Sequence, residues 1–109
     1  MIQVTIFENQ AKEYTAFRCM GHAGYAVSGE DIVCAAVSAL VINAINSVEQ
    51  LVSDGFDLKT EQECGLIDFS LRDGYSPESL LLIQSLVLGL QEIQKNYGTE
   101  YMMLIFKEV

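Results

Sequence analysis

The chain has 109 residues, half of them apolar and 19% charged, with a single proline. That excludes disorder and low complexity and leaves room for one domain, residues 1–109, burying ~60–70% of its unfolded surface. Six Lys and Arg against fifteen Asp and Glu give a net charge of −9. The cations stand singly, which argues against direct nucleic-acid binding, and an acidic surface favours basic partners.

Ile2, Val4 and Ile6 alternate with Gln3 and Thr5, the period of a first strand that ends near Asn9. No basic run precedes it, so neither a secretory signal nor a transit peptide is expected and the expected compartment is the cytoplasm. A second strand runs from Thr15 to about Gly21. It is followed by Gly21-His22-Ala23-Gly24-Tyr25-Ala26-Val27-Ser28-Gly29, a glycine-rich loop.

The first helix is expected to begin near Asp31, with Ser28 or Asp31 as its cap, and to end at Ser53 before Asp54-Gly55. Its apolar stretch Ile32 to Ile45 is interrupted by Cys34, Ser38 and Asn43 and falls short of the ~18–20 residues of a membrane span. It reads as a buried helix, and no membrane partner is expected. Leu58 to Glu63 and Leu66 to Arg72 predict a hairpin about Cys64-Gly65, the first arm polar enough for a sheet edge. Ser76, Pro77 and Glu78 mark the start of a second helix and Gly98 its end. Tyr101 to Lys107, apolar on both faces, reads as an inner strand.

The order ββαββαβ predicts an α+β two-layer sandwich, with a five-stranded mixed or antiparallel sheet and two long helices. Leu80 to Ile93 is apolar nearly all round. This predicts a homodimer packed through the helices, against the alternative of a monomer whose second helix lies between the sheet and the first helix.

Any imidazole chemistry must run through His22, the single histidine. Three cysteines cannot all pair within one chain, which fits a reducing compartment. Cys64 falls in a turn with no activator, and Cys19 points away from His22 if one strand carries both. Cys34 lies in the first or second turn of the first helix, where the peptide dipoles favour a thiolate. On residue type alone, Cys34 reads first as a small packing residue of an apolar helix. No metal or other cofactor is expected, because the Cys and His spacing suits neither a zinc site nor a dithiol.

Gly21-His22-Ala23 followed by Gly29-Glu30-Asp31-Ile32-Val33-Cys34-Ala35-Ala36-Val37-Ser38-Ala39-Leu40 resembles the ribosomal-processing cysteine proteases, the Prp family, over nearly the whole chain. The resemblance implies a homodimeric endopeptidase that removes the short N-terminal extension of a basic large-subunit ribosomal protein, number twenty-seven, cutting after an aromatic residue. It carries the catalytic pair onto Cys34 and His22 and the supporting motif positions onto Gly21, Asp31 and Ser38. Asp31 would orient the imidazole or hold the loop, and Ser38 would support the nucleophile or the substrate backbone. Amides at the start of the first helix would hold the oxyanion, and Ala23, Gly24, Tyr25 and Gly29 would form a substrate loop. The competing class is a non-catalytic homodimeric module that binds a basic ribosome-assembly partner, with Cys34 merely buried.

Overall fold

The computed structural model describes residues 1–21 and 28–109, with the backbone alone for residues 28–31. The elements follow the expected order: β1 (Ile2–Glu8), β2 (Tyr14–Met20), α1 (Ser28–Ser47), β3 (Phe56–Glu61), β4 (Leu66–Leu71), α2 (Pro77–Tyr97) and β5 (Met102–Glu108). The sheet order is β3-β4-β2-β1-β5. Among the described strands the β1–β5 pair is parallel, and β1–β2, β2–β4 and β3–β4 are antiparallel. The sheet is therefore mixed.

Alternation in β1 and β2 sends Ile2, Val4, Ile6, Phe17 and Cys19 to one face, where they are buried with Phe69 and Leu71 of β4. Phe17 and Phe69 stack across the β2–β4 register with ring centroids 4.8 Å apart. Both helices complete this core. From α1 come Val33, Val37 and Val41, and from α2 come Ile83, Leu86, Val87 and Leu90, all buried. The helices approach closely at Gly89, where an added Cβ would lie 2.7 Å from Leu40 Cδ1.

Four sequence expectations change. β5 is an edge strand, not an inner one, and Met103 and Phe106 are exposed along it. Helix α1 starts at Ser28, close to one turn earlier than expected, and its last part runs on as a single π-helical turn, Val48–Val52. The turn closes with Ser53 in the left-handed region, donating its N–H to Val48 O at 2.9 Å. The stretch Ile32–Val52, 21 residues of mean hydropathy 1.8, therefore does reach the length and composition of a membrane span, yet its inner stripe from Val33 to Val48 is packed in the core.

The fourth change is at the start of α2. Ser76 takes the extended backbone of a cap but makes no capping bond with its own side chain. Asp54 does the work from 22 residues away: its Oδ2 accepts from Ser76 N–H and Oγ–H, both at 2.7 Å, and from Ser79 Oγ–H at 2.6 Å. Three donors on one carboxylate hold its charged form and lower its pKa below the usual 3.8. Ser79, fully buried, is satisfied by the same contact.

Candidate active site

Helix α1 leaves the outer part of the sheet uncovered. Between its side and the β3–β4 hairpin lies a cavity of about 720 Å³. Cys34, Val37, Ser38 and Ile42 line it from the helix, the spacing of one helical face. Ile2, Cys19 and Ile67 contribute sheet residues, while Thr60, Glu61 and Gln62 form its lip at the end of β3. Gly21 and Gly65 also line it.

Of the residues expected at the site, Cys34 and Ser38 are brought together here, half-buried and one helical turn apart, with Gly21. Gly21 has φ +107°, and an added Cβ would collide with the carbonyl oxygen of Met1. Its N–H donates to Cys64 O at 3.1 Å, which ties the end of β2 to the hairpin turn. Glycine at this motif position thus has a backbone reason. Gly29 and Asp31 lie in the first turn of α1, where only the backbone is described; His22, Ala23, Gly24 and Tyr25 fall outside the described residues.

Cys34 is the seventh residue of α1, at the end of its second turn. The dipole effect and the free N–H groups belong to the first turn. The early start of the helix therefore weakens the expected help from helix-start amides, both for the thiolate and for an oxyanion.

The three thiols differ sharply. Burial pushes the Cys19 thiol up to about 11, and the neighbouring Cys34 adds to the shift. Cys64 sits in the hairpin turn, half-buried, and donates its S–H to Glu61 Oε2 at 3.6 Å. Cys34 is half-buried and opens onto the cavity. Sequence reasoning passed over Cys19 and the lip residues Thr60 and Gln62 as neighbours of Cys34. No local motif marks them, because a helix and a hairpin far apart in sequence bring them together.

Residues 1–102 match the family model described as Cysteine protease Prp. The ribosomal processing cysteine protease Prp of Bacillus subtilis is 35% identical over 103 residues, covering 89% of this chain and 90% of that protein. The Staphylococcus aureus protease of the same name is 31% identical over 98 residues, with 90% and 92% covered. Among solved structures, the S. aureus Prp protease with a substrate peptide superposes with a TM-score of 0.90 at 30% identity, and its complex with a covalently linked product peptide with 0.87 at 31%. Each comparison covers 98% of this chain and all of the other. A sulfur nucleophile candidate at the wall of a cavity, in a chain aligned end to end with these enzymes, fits a single assignment: the protein belongs to the Prp family of cysteine proteases.

Proposed function

We propose that the protein is the ribosomal-processing endopeptidase that removes the N-terminal extension of large-subunit ribosomal protein twenty-seven, with Cys34 as nucleophile and His22 as its base. The observation that carries this reading is the position of Cys34. It is the thiol that opens from a helix onto a cavity large enough for several peptide residues, while Cys19 is buried beneath it and Cys64 is turned toward Glu61.

His22 takes the Cys34 proton, and the thiolate adds to the scissile carbonyl carbon. Collapse of the tetrahedral intermediate expels the amine, which takes the proton from His22. Water then hydrolyses the thioester, with His22 again acting as base, and frees the new C-terminal carboxylate. Ser38 Oγ, one turn from Cys34 in the same cavity, supplies a hydrogen bond to the substrate backbone or to the developing oxyanion. Asp31 holds the loop that carries His22, or orients its ring. The acidic chain draws in a basic substrate.

Two copies associate through the helices. Ile32 and Ile42 on α1 and Leu81 and Leu88 on α2 are each about half exposed or more, at 57%, 49%, 64% and 62%, a larger apolar display than a lone helical layer needs. Sedimentation at low micromolar concentration should give a species of about twice 12.1 kDa.

The test of the protease reading is incubation with the extended ribosomal protein, followed by mass measurement of the products. One cut is expected. Cys34→Ala and His22→Ala should each lower the rate by at least ~1,000-fold while folding persists, whereas Cys19→Ser and Cys64→Ser should retain most of it. Iodoacetamide at pH 7 should label Cys34 well ahead of Cys19, whose thiol burial pushes up to about 11. Undiminished cleavage by Cys34→Ala would remove the assignment.

A further inference from the structure

The edge of β3 sits at the lip of the Cys34 cavity, and its backbone polarity follows from one hydrogen bond. Arg72 N–H donates to Gly55 O at 2.9 Å, and the β3–β4 register runs Phe56↔Leu71, Leu58↔Phe69, Thr60↔Ile67. Gly55 therefore faces Arg72 as a hydrogen-bonded pair. Bonded and non-bonded pairs alternate along an antiparallel ladder. Asp57, Lys59 and Glu61 turn their N–H and C=O groups inward to β4, and Phe56, Leu58 and Thr60 turn theirs outward.

Among the described residues, no strand lies beyond β3 and no group takes the outward N–H of Leu58 or Thr60. Leu58 and Thr60 are both exposed, and Thr60 lines the same cavity as Cys34. The result is a row of outward backbone groups that ends at the lip of the cavity Cys34 also lines.

We infer that the extended segment of the protein substrate binds as an added strand on the free edge of β3, through backbone hydrogen bonds to Leu58 and Thr60, which lead its scissile bond to Cys34. This rests on the protease reading above. The occupant fits the edge in two ways. An N-terminal extension can supply a continuous backbone, which is the requirement of strand addition. A basic one also meets an acidic carboxylate at the lip, Glu61, while Asp57 farther back is already paired with Arg72. Backbone bonds of this kind give affinity, while the cavity beside Cys34 takes the side chains next to the scissile bond and selects the cut.

The decisive substitution is Thr60→Pro. It removes an outward N–H and blocks a neighbouring strand, yet leaves the inward ladder to β4 intact, an edge placement that proline tolerates. With a synthetic peptide spanning the extension and the first mature residues, KM should rise at least about tenfold with kcat within about threefold of the parent. Amide hydrogen exchange gives a second reading that does not depend on that variant folding. Saturating a Cys34→Ala chain with the peptide should slow exchange at Leu58 and Thr60 by at least about tenfold and leave Phe106, on the opposite edge, unchanged.

Peptide bound with Leu58 and Thr60 exchanging at their free rates would overturn the edge site and leave the protease assignment standing. A folded Thr60→Pro chain with parental KM would do the same. A parent chain that neither binds nor cuts the peptide would remove both. Cleavage by Cys34→Ala would remove the nucleophile assignment, and the KM of Thr60→Pro would still decide the edge.

Discussion

Helix α2 reaches toward both edges of the sheet but treats them differently. At β5, Ile2 N–H donates to Tyr101 O and Val109 N–H to Glu8 O. The odd-numbered residues of that strand thus face β1, and Leu104 faces outward. Gln94 Oε1 of α2 accepts the Leu104 N–H at 2.8 Å. Farther along, Lys12 bridges Glu108 at 2.9 Å and Glu8 at 3.6 Å, a charged end of the kind that discourages strand pairing. At β3 the helix touches only the root, where Ser76 and Ser79 hold Asp54 just ahead of the strand. Farther along, β3 is left open beside the Cys34 cavity. One edge thus has an outward N–H met by α2 and a charged end, and the other lies open beside the cavity, where the proposed peptide strand would add.

The largest stability effect that bears on this contrast is at Gly21, whose N–H bond to Cys64 O fixes the hairpin turn at the end of the cavity. Gly21→Ala forces a Cβ into the Met1 carbonyl at a positive φ. A loss of about 1–3 kcal/mol is expected by urea denaturation, with weaker peptide binding because the lip shifts. A parental midpoint would mean that the turn is not held by this contact. Next comes Gln94→Leu. It gives up one hydrogen bond at an exposed strand and should cost about 0.5–1.5 kcal/mol, with KM for the peptide unchanged. If Gln94→Leu raised KM as Thr60→Pro is expected to, the peptide would be using the β5 edge and the contrast between the edges would be reversed.

What was legible in the sequence was whatever depends on near neighbours. Alternation in Ile2 to Ile6 and the Pro77 and Gly98 boundaries marked elements that the structure keeps, because period and turn chemistry are local. Sheet order is not local. Met102 to Phe106 is apolar on both faces, and that pattern suits an inner strand or an edge that hides one face under α2. Its pairing with β1 alone decides for the edge, and Met103 and Phe106 are exposed along it. The cap at Ser76 was placed correctly but not its chemistry, since the accepting carboxylate of Asp54 lies on the far side of β3 and β4. At the site, Cys34 and Ser38 share a face because they are four residues apart on one helix. Thr60 joins them through β-hairpin packing, which no spacing announces.

The smallest effect at neutral pH separates the two anchors of α2. Asp54 is ionised there, and three donors keep its folded pKa below 3.8. Because the folded value is depressed, the stabilisation is fully present above the unfolded pKa and is lost as pH falls through the folded one. Asp54→Asn keeps an acceptor but loses the charge, so the parent should exceed the variant by a constant margin from about pH 7 to pH 5. That margin should shrink below the unfolded value of about 3.9. Glu13, held low by Asn9 and Tyr75, and Asp57, held low by Arg72, are depressed as well. They are present in both chains, so the difference between two urea titrations across pH isolates Asp54. Gln94→Leu carries no ionisable group and should show a margin independent of pH. A margin for Asp54→Asn that also stayed flat down to pH 2 would mean that the root of β3 is held by geometry alone, without help from the carboxylate's charge.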